Sequence, residues 1–182
     1  MIEYQDLIIH THPEVKEEIE ASSILINNLN IRLRDEVLAI GIGNGLVPVY
    51  TAKRSRKVIA TDVNPHAITC GVKNTVANKT FNVELREGLF FEPLQNENFD
   101  LILVNAHYLL NLEETDERII YNSIDEIKDY LKENGRFYIL DSSQNSDLLR
   151  SKLENAGLDA EKVITEKCSD AEIIVVKGNM KN

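Results

Sequence analysis

Three glycines and one aspartate are the residues of this sequence best suited to hold a ligand. Gly41, Gly43 and Gly45 follow an apolar run, residues 37–40, at alternate positions. Glycine is needed where a backbone turns sharply and comes close to a ligand, because a Cβ there would clash or forbid the dihedrals. Asp62 stands about 20 residues further on, where the acidic residue of a dinucleotide fold accepts hydrogen bonds from ribose hydroxyls. The spacing predicts a site for a nucleotide-like cofactor.

A second candidate group is the run Asn105-Ala106-His107-Tyr108, which follows the most apolar segment of the chain. His107 has two interpretations. It is either a general base for a nitrogen or oxygen nucleophile, since an imidazole titrates near neutrality, or a polar residue where a strand ends. His10 and His12 could contribute to a metal site, but no further ligands cluster with them in the sequence, so we expect no metal.

The composition is that of an acidic globular protein. The chain has 182 residues, a formal net charge of -10 and a pI near 4.9, which makes nucleic acid a less favoured partner because such binders usually carry a basic face. Cys70 and Cys168 form no CxxC pattern and indicate reduced thiols. No run approaches about 20 apolar residues and the N-terminus lacks a basic signal region, so we expect a cytoplasmic protein without a membrane partner.

Alternating strand and helix patterns indicate the elements that position these residues. Apolar runs predict strands at 37–40, 57–61, 81–86, 99–104, 136–140, 162–166 and 172–177. Helical patterns lie at 13–29, 47–52, 65–78, 115–133 and 146–156. Asn64 is expected to cap the third helix, the acidic run 113–117 to lie at the start of the fourth, and Gly135 to close the fourth.

The alternation predicts an α/β fold. Strands that alternate with helices pair in parallel, whereas the last two strands, with no helix between them, must form an antiparallel hairpin. We therefore expect a three-layer sandwich around a Rossmann-like, seven-stranded, mostly parallel sheet with a C-terminal antiparallel hairpin. Residues 1–182 should form a single domain, with an N-terminal segment and helix at 1–35 and the Rossmann-like core at 36–182.

The alternate glycines and the terminal hairpin resemble the class I S-adenosylmethionine-dependent methyltransferases. More narrowly, residues 58–67 (VIATDVNPHA), the loop 89–94 and residues 99–108 (FDLILVNAHY) look like the small methyltransferases of the release-factor glutamine methylase and ribosomal-RNA guanine methylase group. In that group the last run usually ends in Asn-Pro-Pro-Tyr. The resemblance implies S-adenosylmethionine as cofactor and methyl transfer to a nitrogen of a protein side chain, or of another planar amide or amine. Some members work with a small activator protein, so the implied partners are a protein or small-molecule acceptor and such an activator.

The resemblance also implies roles for particular residues. Asn105 matches the asparagine whose side-chain oxygen holds the nitrogen to be methylated. Tyr108 matches the aromatic residue that stacks on a planar substrate group, and His107 is the candidate base beside them. The cofactor would be lined by Ile40, Gly41, Gly43, Gly45, Asp62, Val63, Gly88, Leu89 and Asn105. Of these, Val63 and Leu89 would lie beside the adenine.

Three departures from the pattern of the group leave alternatives open. Ala39 stands where an acidic residue usually contacts the cofactor, and Gly88 where an aspartate usually meets the adenine amino group. Ala106-His107 replaces the two prolines that stiffen the loop. The alternatives are an RNA methyltransferase of the same group and a non-catalytic protein of this fold that binds cofactor or a partner. A nicotinamide-dependent oxidoreductase is disfavoured by Leu46, which stands where a third glycine is expected.

Overall fold

The fold is that of a computed structural model that describes residues 1–16, 19–110, 117–169 and 171–181. Its strands are β1 (Ile2–Tyr4), β2 (Leu7–Ile9), β3 (Glu36–Ile40), β4 (Lys57–Asp62), β5 (Val83–Glu87), β6 (Phe99–Asn105), β7 (Leu131–Ser142), β8 (Leu158–Lys167) and β9 (Glu172–Met180). Its α-helices are α1 (Ile19–Asn27), α2 (Leu46–Ala52), α3 (Pro65–Ala77), α4 (Ala106–Leu110), α5 (Glu117–Ser123), α6 (Ile127–Tyr130) and α7 (Ser146–Asn155).

Seven strands form the central sheet in the order β5-β4-β3-β6-β7-β9-β8. The strands from β5 to β7 pair in parallel with their neighbours, and β9 runs antiparallel to both β7 and β8. The α/β fold with a mostly parallel seven-stranded sheet and a C-terminal antiparallel hairpin is therefore confirmed. The connection order reverses between β3 and β6, which is where open α/β sheets bind ligands, beyond the carboxyl ends of the strands.

Helices cover both faces of the sheet. Neighbouring residues of each central strand point to opposite sides, so each strand contributes side chains to both faces. In β3, Leu38 and Ile40 pack in one hydrophobic cluster with helices α4 to α7, and Val37 and Ala39 pack in a second cluster with α1 and α2. Most residues of β3, β4 and β6 are buried on either side, which explains why these strands read as continuous apolar runs. The packing matches the expected three layers.

The region between α4 and β7 differs from the sequence-based expectation. A helix was predicted over 115–133 with Gly135 closing it, but α6 ends at Tyr130 and β7 begins at Leu131. The pairing of β6 with β7 shifts register between Phe99 and Leu101, and a Cβ on Gly135 would come within 2.9 Å of the Phe99 carbonyl oxygen. Gly135 therefore accommodates an irregular strand pairing and does not close a helix. The acidic run 113–117 lies outside the described residues apart from Glu117.

The N-terminal segment also departs from the prediction. Residues 2–9 form an antiparallel hairpin of β1 and β2, with Gln5 in the left-handed region at φ 54°. The first helix was expected from Pro13, but residues 13–16 are not helical and α1 is described from Ile19. Strands of three residues are too short to give a periodic signal. Among the described helices, none combines the length and apolar character that a membrane crossing requires.

Candidate active site

The turn between β3 and α2 has the backbone conformation that its glycines were expected to provide. Gly41, Gly43 and Gly45 have φ values of 81°, 52° and 87°, a region in which a Cβ is strained. A Cβ on Gly41 would also lie 3.3 Å from the backbone oxygen of Asn105. The shape of the turn thus requires all three glycines, and the close approach of the end of β6 also requires Gly41.

Asp62 ends β4 and is tied to the same turn. Its Oδ2 accepts a hydrogen bond from the backbone N–H of Gly43 at 3.1 Å, and its Oδ1 accepts one from the N–H of Asn64 at 2.9 Å. The side chain is 2% exposed. Burial raises the pKa of Asp62 to about 6, although the backbone donors Asn64 and Gly43 oppose that rise. The structure therefore brings together the two features that the sequence analysis assigned to one site.

Helix α3 begins as the sequence predicts and fixes the chain after Asp62. Asn64 is the N-cap, and its side chain accepts a hydrogen bond from the N–H of His66 at 2.9 Å, with Pro65 at the first helical position. Val63 lies between Asp62 and this cap and remains 37% exposed. Val63 thus offers an apolar side chain at the surface beside the aspartate.

Asn105 ends β6, next to the glycine turn. Its side chain is buried, and its Oδ1 accepts a hydrogen bond from the backbone N–H of Tyr108 at 3.1 Å. This bond has the geometry of an N-cap, since the next residues form the short helix α4. The loop expected here is therefore a helical turn, and Asn105 is the residue that caps it.

Tyr108 and His107 lie on that helix with different exposure. Tyr108 is 1% exposed, and its ring atom Cε2 lies 3.5 Å from the position of a Cβ on Gly43. His107 is partly buried. The aromatic residue expected to stack on a substrate is thus packed against the glycine turn.

The remaining predicted cofactor residues surround the ends of the same strands. Ile40 is buried at the end of β3, and Gly88 follows β5 with its N–H donating to the backbone oxygen of Asp62 at 3.0 Å. Gly88 has φ 148°, and a Cβ there would lie 2.6 Å from Cγ of Pro93. Leu89 is partly buried and packs against the hydrophobic cluster that contains Ile40. Gly88 is one of the three departures noted in the sequence, and its own loop requires a glycine because a side chain there would clash with Pro93.

Asn74 is a buried residue of the site that the sequence analysis missed. Its Nδ2 donates to the carbonyl of Asn44 in the glycine turn at 2.6 Å and to the carbonyl of His10 at 2.9 Å. Its Oδ1 accepts from the N–H of His10 at 2.7 Å, and the side chain is fully buried. Asn74 therefore joins the N-terminal segment to the turn. The available signal was a polar residue on a helix face otherwise occupied by Cys70 and Gly71.

Asp141 is a second acid at the carboxyl edge of the sheet that the sequence analysis did not use. It follows Leu140, the sheet partner of Asn105. Its Oδ2 accepts a hydrogen bond from the Tyr121 hydroxyl at 2.6 Å, and burial raises the pKa of both groups. The pair fixes α5 against the end of β7.

The two N-terminal histidines have structural contacts. The ring of His12 stacks on that of His66 with 4.7 Å between the centroids, and the backbone of His10 bonds to Asn74. Within the ranges that the structure describes, no three His, Cys, Asp or Glu side chains gather in a group that could hold a metal ion.

Comparisons with known proteins place these residues in a broader context. Residues 6–165 match the model of a protein family described as the methyltransferase small domain. A Methanocaldococcus jannaschii protein, provisionally named a protein N5-glutamine methyltransferase, is 30% identical over 98% of each chain. A release factor glutamine methyltransferase of Geobacter sulfurreducens is 37% identical over 40% of this chain and 26% of its own. A methyltransferase structure from Pyrococcus furiosus superposes with a TM-score of 0.77 at 19% identity, covering 97% of this chain and 90% of that one.

Proposed function

Because this chain belongs to the methyltransferase small domain family, we propose that it transfers a methyl group to a nitrogen of a protein side chain or of another planar amide or amine. S-adenosylmethionine is the cofactor of the family. The nitrogen acceptor and the roles of individual residues are the parts that we propose.

The juxtaposition of Asn105 with the glycine turn carries this proposal. Strands β3 and β6 are neighbours in register, with Ile40 opposite Val104. The segments that follow the two strands therefore leave the sheet at the same edge. A Cβ on Gly41 would lie 3.3 Å from the Asn105 backbone oxygen. A cofactor held by the turn and an acceptor held at Asn105 would therefore be adjacent, as direct methyl transfer requires.

The chemistry of the site fits S-adenosylmethionine. The carboxylate of Asp62 faces backbone N–H donors, chiefly those of Asn64 and Gly43, and we propose that it also accepts hydrogen bonds from ribose hydroxyls. The glycine turn provides backbone without side chains, and Val63 and Leu89 offer apolar surface suited to an adenine ring. We propose that Ile40, Gly41, Gly43, Gly45 and Gly88 complete the lining.

When bound, S-adenosylmethionine supplies an electrophilic methyl group on a sulfonium. The residues of this chain act on the acceptor. An amide nitrogen is a poor nucleophile because its lone pair is delocalised, and Asn105 would accept a hydrogen bond from its N–H and direct the lone pair toward the methyl group. Tyr108 would stack on the planar acceptor, and His107 is a candidate to receive the proton that the nitrogen loses. Catalysis would come mainly from positioning.

A protein glutamine is the acceptor that the relatives favour. The Methanocaldococcus jannaschii protein is provisionally named for transfer to glutamine N5, and it matches nearly the full length of this chain. The formal net charge of -10 also suits a protein or small-molecule acceptor better than RNA. We further propose that the protein acts in the cytoplasm and that residues 1–182 act as one domain. The bonds between His10 and Asn74 support the single domain, because they fasten the N-terminal segment to the core. That a small activator protein works with this chain stays a prediction from the resemblance.

A second candidate is a non-catalytic member of the family that binds cofactor or a partner. One observation favours it. The oxygen of Asn105 that would hold an acceptor already accepts a hydrogen bond from the Tyr108 N–H, and the Tyr108 ring is buried. Cofactor binding without turnover is the behaviour expected of this alternative.

The deciding experiment is a methyl-transfer assay with S-adenosylmethionine labelled in its methyl group and a release factor as acceptor. We expect label in N5-methylglutamine after digestion of the product, and loss of that label with the N105A variant. Titration calorimetry with S-adenosylhomocysteine is run on the same preparations. Calorimetric binding without transfer to any protein, peptide or small amide acceptor would favour the non-catalytic alternative.

A further inference from the structure

The first turn of α4 holds two functional side chains in one inward-facing arrangement. The side-chain oxygen of Asn105 accepts the hydrogen bond from the Tyr108 N–H at 3.1 Å. The ring atoms Cε2, Cδ2 and Cζ of Tyr108 lie 3.5–3.8 Å from the Cβ position of Gly43, and the residue is 1% exposed. The same helical turn thus uses one of the two acceptor positions of the Asn105 oxygen, buries the Tyr108 ring and covers part of the glycine turn.

The residue types at positions 106 and 107 explain why this turn is helical. Asparagine is a strong N-cap residue, and alanine has the highest helix propensity, so Asn105-Ala106 favours a helix start. A proline at position 106 would be compatible with the helix. The N–H of the first helical residue has no partner within the helix, and the φ that a proline ring fixes is already helical. A proline at position 107 would oppose the helix, because it disfavours the α conformation of the residue before it. His107 therefore permits a conformation that a second proline would disfavour.

The helix is too short to be stable by itself. It spans only Ala106–Leu110, and isolated helices of fewer than about 12 residues are marginal in water. The Asn105 cap and the burial of Tyr108 and Leu109 in the core stabilise it. A ligand that offers the Tyr108 ring another flat surface and the Asn105 oxygen another donor would compete directly with both interactions.

We propose that α4 is a gate on the site assigned above, and this inference rests on the proposed function. In the closed arrangement seen in the structure, α4 withholds Asn105 and Tyr108 from an acceptor and covers Gly43. Opening of its first turn frees all three together. His107, in place of a proline, sets the balance toward the closed form, so this chain binds its ligands more weakly than the same site would with the helix open.

The test is a series of variants at position 107 that differ in how strongly they oppose the helix. H107A keeps the helix while removing the imidazole, H107G weakens the helix, and H107P disfavours it most. Calorimetry measures the affinity of each purified protein for S-adenosylhomocysteine. We expect the affinity to rise from H107A through H107G to H107P. H107P should bind at least about fivefold more tightly than H107A, because that ratio corresponds to the free energy of one N-cap interaction. A106P is the control and should bind like the wild type.

A second readout follows the gate without ligand. Hydrogen exchange of a peptide that covers residues 105–110 should be faster in H107P than in H107A, because the Tyr108 N–H loses its Asn105 acceptor. Thermal melting checks that each variant is folded. If H107P does not fold, the comparison of H107G with H107A decides.

The outcomes separate the gate from the proposed function. Measurable but equal affinities across the folded variants would overturn the gate and leave the methyltransferase function standing. Absence of binding by the wild type and by every folded variant would overturn both. Binding by H107P in the absence of detectable binding by the wild type would support the gate.

Discussion

Asp62 accepts a hydrogen bond from the backbone N–H of Gly43 at 3.1 Å, so the acidic residue that ends β4 directly braces the turn that follows β3. The other carboxylate oxygen accepts from the N–H of Asn64 at 2.9 Å. The backbone N–H groups of Ile42 and Val63 also act on the carboxylate, so its described protein contacts are all donors. One buried side chain therefore shapes the glycine turn and places a carboxylate beside it.

Replacing Asp62 should therefore weaken cofactor binding in two ways. D62A removes the acceptor for ribose hydroxyls and releases the Gly43 N–H. D62N should also bind cofactor more weakly, because an asparagine side chain has only one oxygen. Its amide nitrogen would face the other of the two backbone N–H donors. We expect S-adenosylhomocysteine affinity to fall at least about tenfold in both, the usual effect of losing a hydrogen bond to a charged group. Calorimetry measures it, and D6N, at an exposed aspartate, is the control. Wild-type affinity in D62A would rule out the assigned role.

Cofactor binding should also depend on pH through the same group. Burial raises the pKa of Asp62 to about 6. Protonation removes the negative charge and turns one oxygen into a donor, so affinity should decrease as the pH falls through 6. With an ionised fraction of roughly one in ten at pH 5, affinity there should be about tenfold below its plateau.

Calorimetric titrations from pH 5 to pH 8 test this dependence. The stacked pair His12 and His66 lies close to Asn64, so the same series on H66A excludes a contribution from the stack. We expect the midpoint to persist in H66A. An affinity that stays constant over the whole range in the wild type would show that the charge of Asp62 plays no part in binding.

Asn105 should matter for transfer more than for cofactor affinity. N105A removes the oxygen proposed to orient the acceptor nitrogen, and loss of such positioning typically slows a reaction by about 100-fold. Single-turnover rates and S-adenosylhomocysteine affinity measured on the same sample separate the two effects. N98A is a matched control, since Asn98 precedes β6 at its opposite end and bonds only to the Asp129 carbonyl in the described contacts. A transfer rate in N105A equal to that of N98A would contradict the role.

Much of the fold was predictable because its signals are local and repeated. The apolar runs of β3, β4 and β6 and the cap at Asn64 were placed within a residue or two, and their alternation with helices implied the parallel sheet. The resemblance to class I methyltransferases rested on motifs of this kind and is confirmed by the family match. Local signals failed at Leu131, where sheet pairing with Phe99 replaces a continued helix.

The candidate site was predictable in its strand ends but not in its supports. Gly43 and Asp62 were assigned to one site from their spacing, and the structure places them in hydrogen-bond contact. Asn74 was missed because its partners, Asn44 and His10, are 30 and 64 positions away in sequence. The helical state of Asn105 to Tyr108 was missed because the resemblance suggested a loop, although asparagine followed by alanine is itself a helix-start signal.

Loss of Asn74 should therefore affect both stability and the site. N74A leaves the buried carbonyl of Asn44 and the backbone of His10 without their partners, which should lower the free energy of unfolding by about 2–3 kcal/mol. N78A is the matched control. Asn78 bonds the N–H and carbonyl of Ile8 at 2.9 Å and 2.7 Å, yet it has no described bond to the glycine turn.

Urea denaturation and calorimetry distinguish the two asparagines. Both variants should be less stable, but only N74A should also bind S-adenosylhomocysteine more weakly, because only Asn74 holds Asn44 in the turn. Equal losses of affinity in N74A and N78A would mean that the N-terminal segment as a whole, and not the bond to the turn, supports the site.

The buried ion pair at the opposite edge of the sheet should contribute to stability alone. Arg136 and Asp35 are almost fully buried, and the guanidinium also donates to the carbonyl of Asp100 at 3.1 Å. R136A would leave the Asp35 carboxylate buried without its partner, at a cost of about 3–5 kcal/mol. The exposed pair of Lys53 and Asp6 is the control, and K53A should lower the stability far less than R136A. Arg136 lies at the amino ends of the strands, away from the candidate site at their carboxyl ends. R136A should therefore keep wild-type cofactor affinity under conditions in which it is folded. A stability loss in R136A no larger than that in K53A would show that water or a rearranged partner compensates the carboxylate.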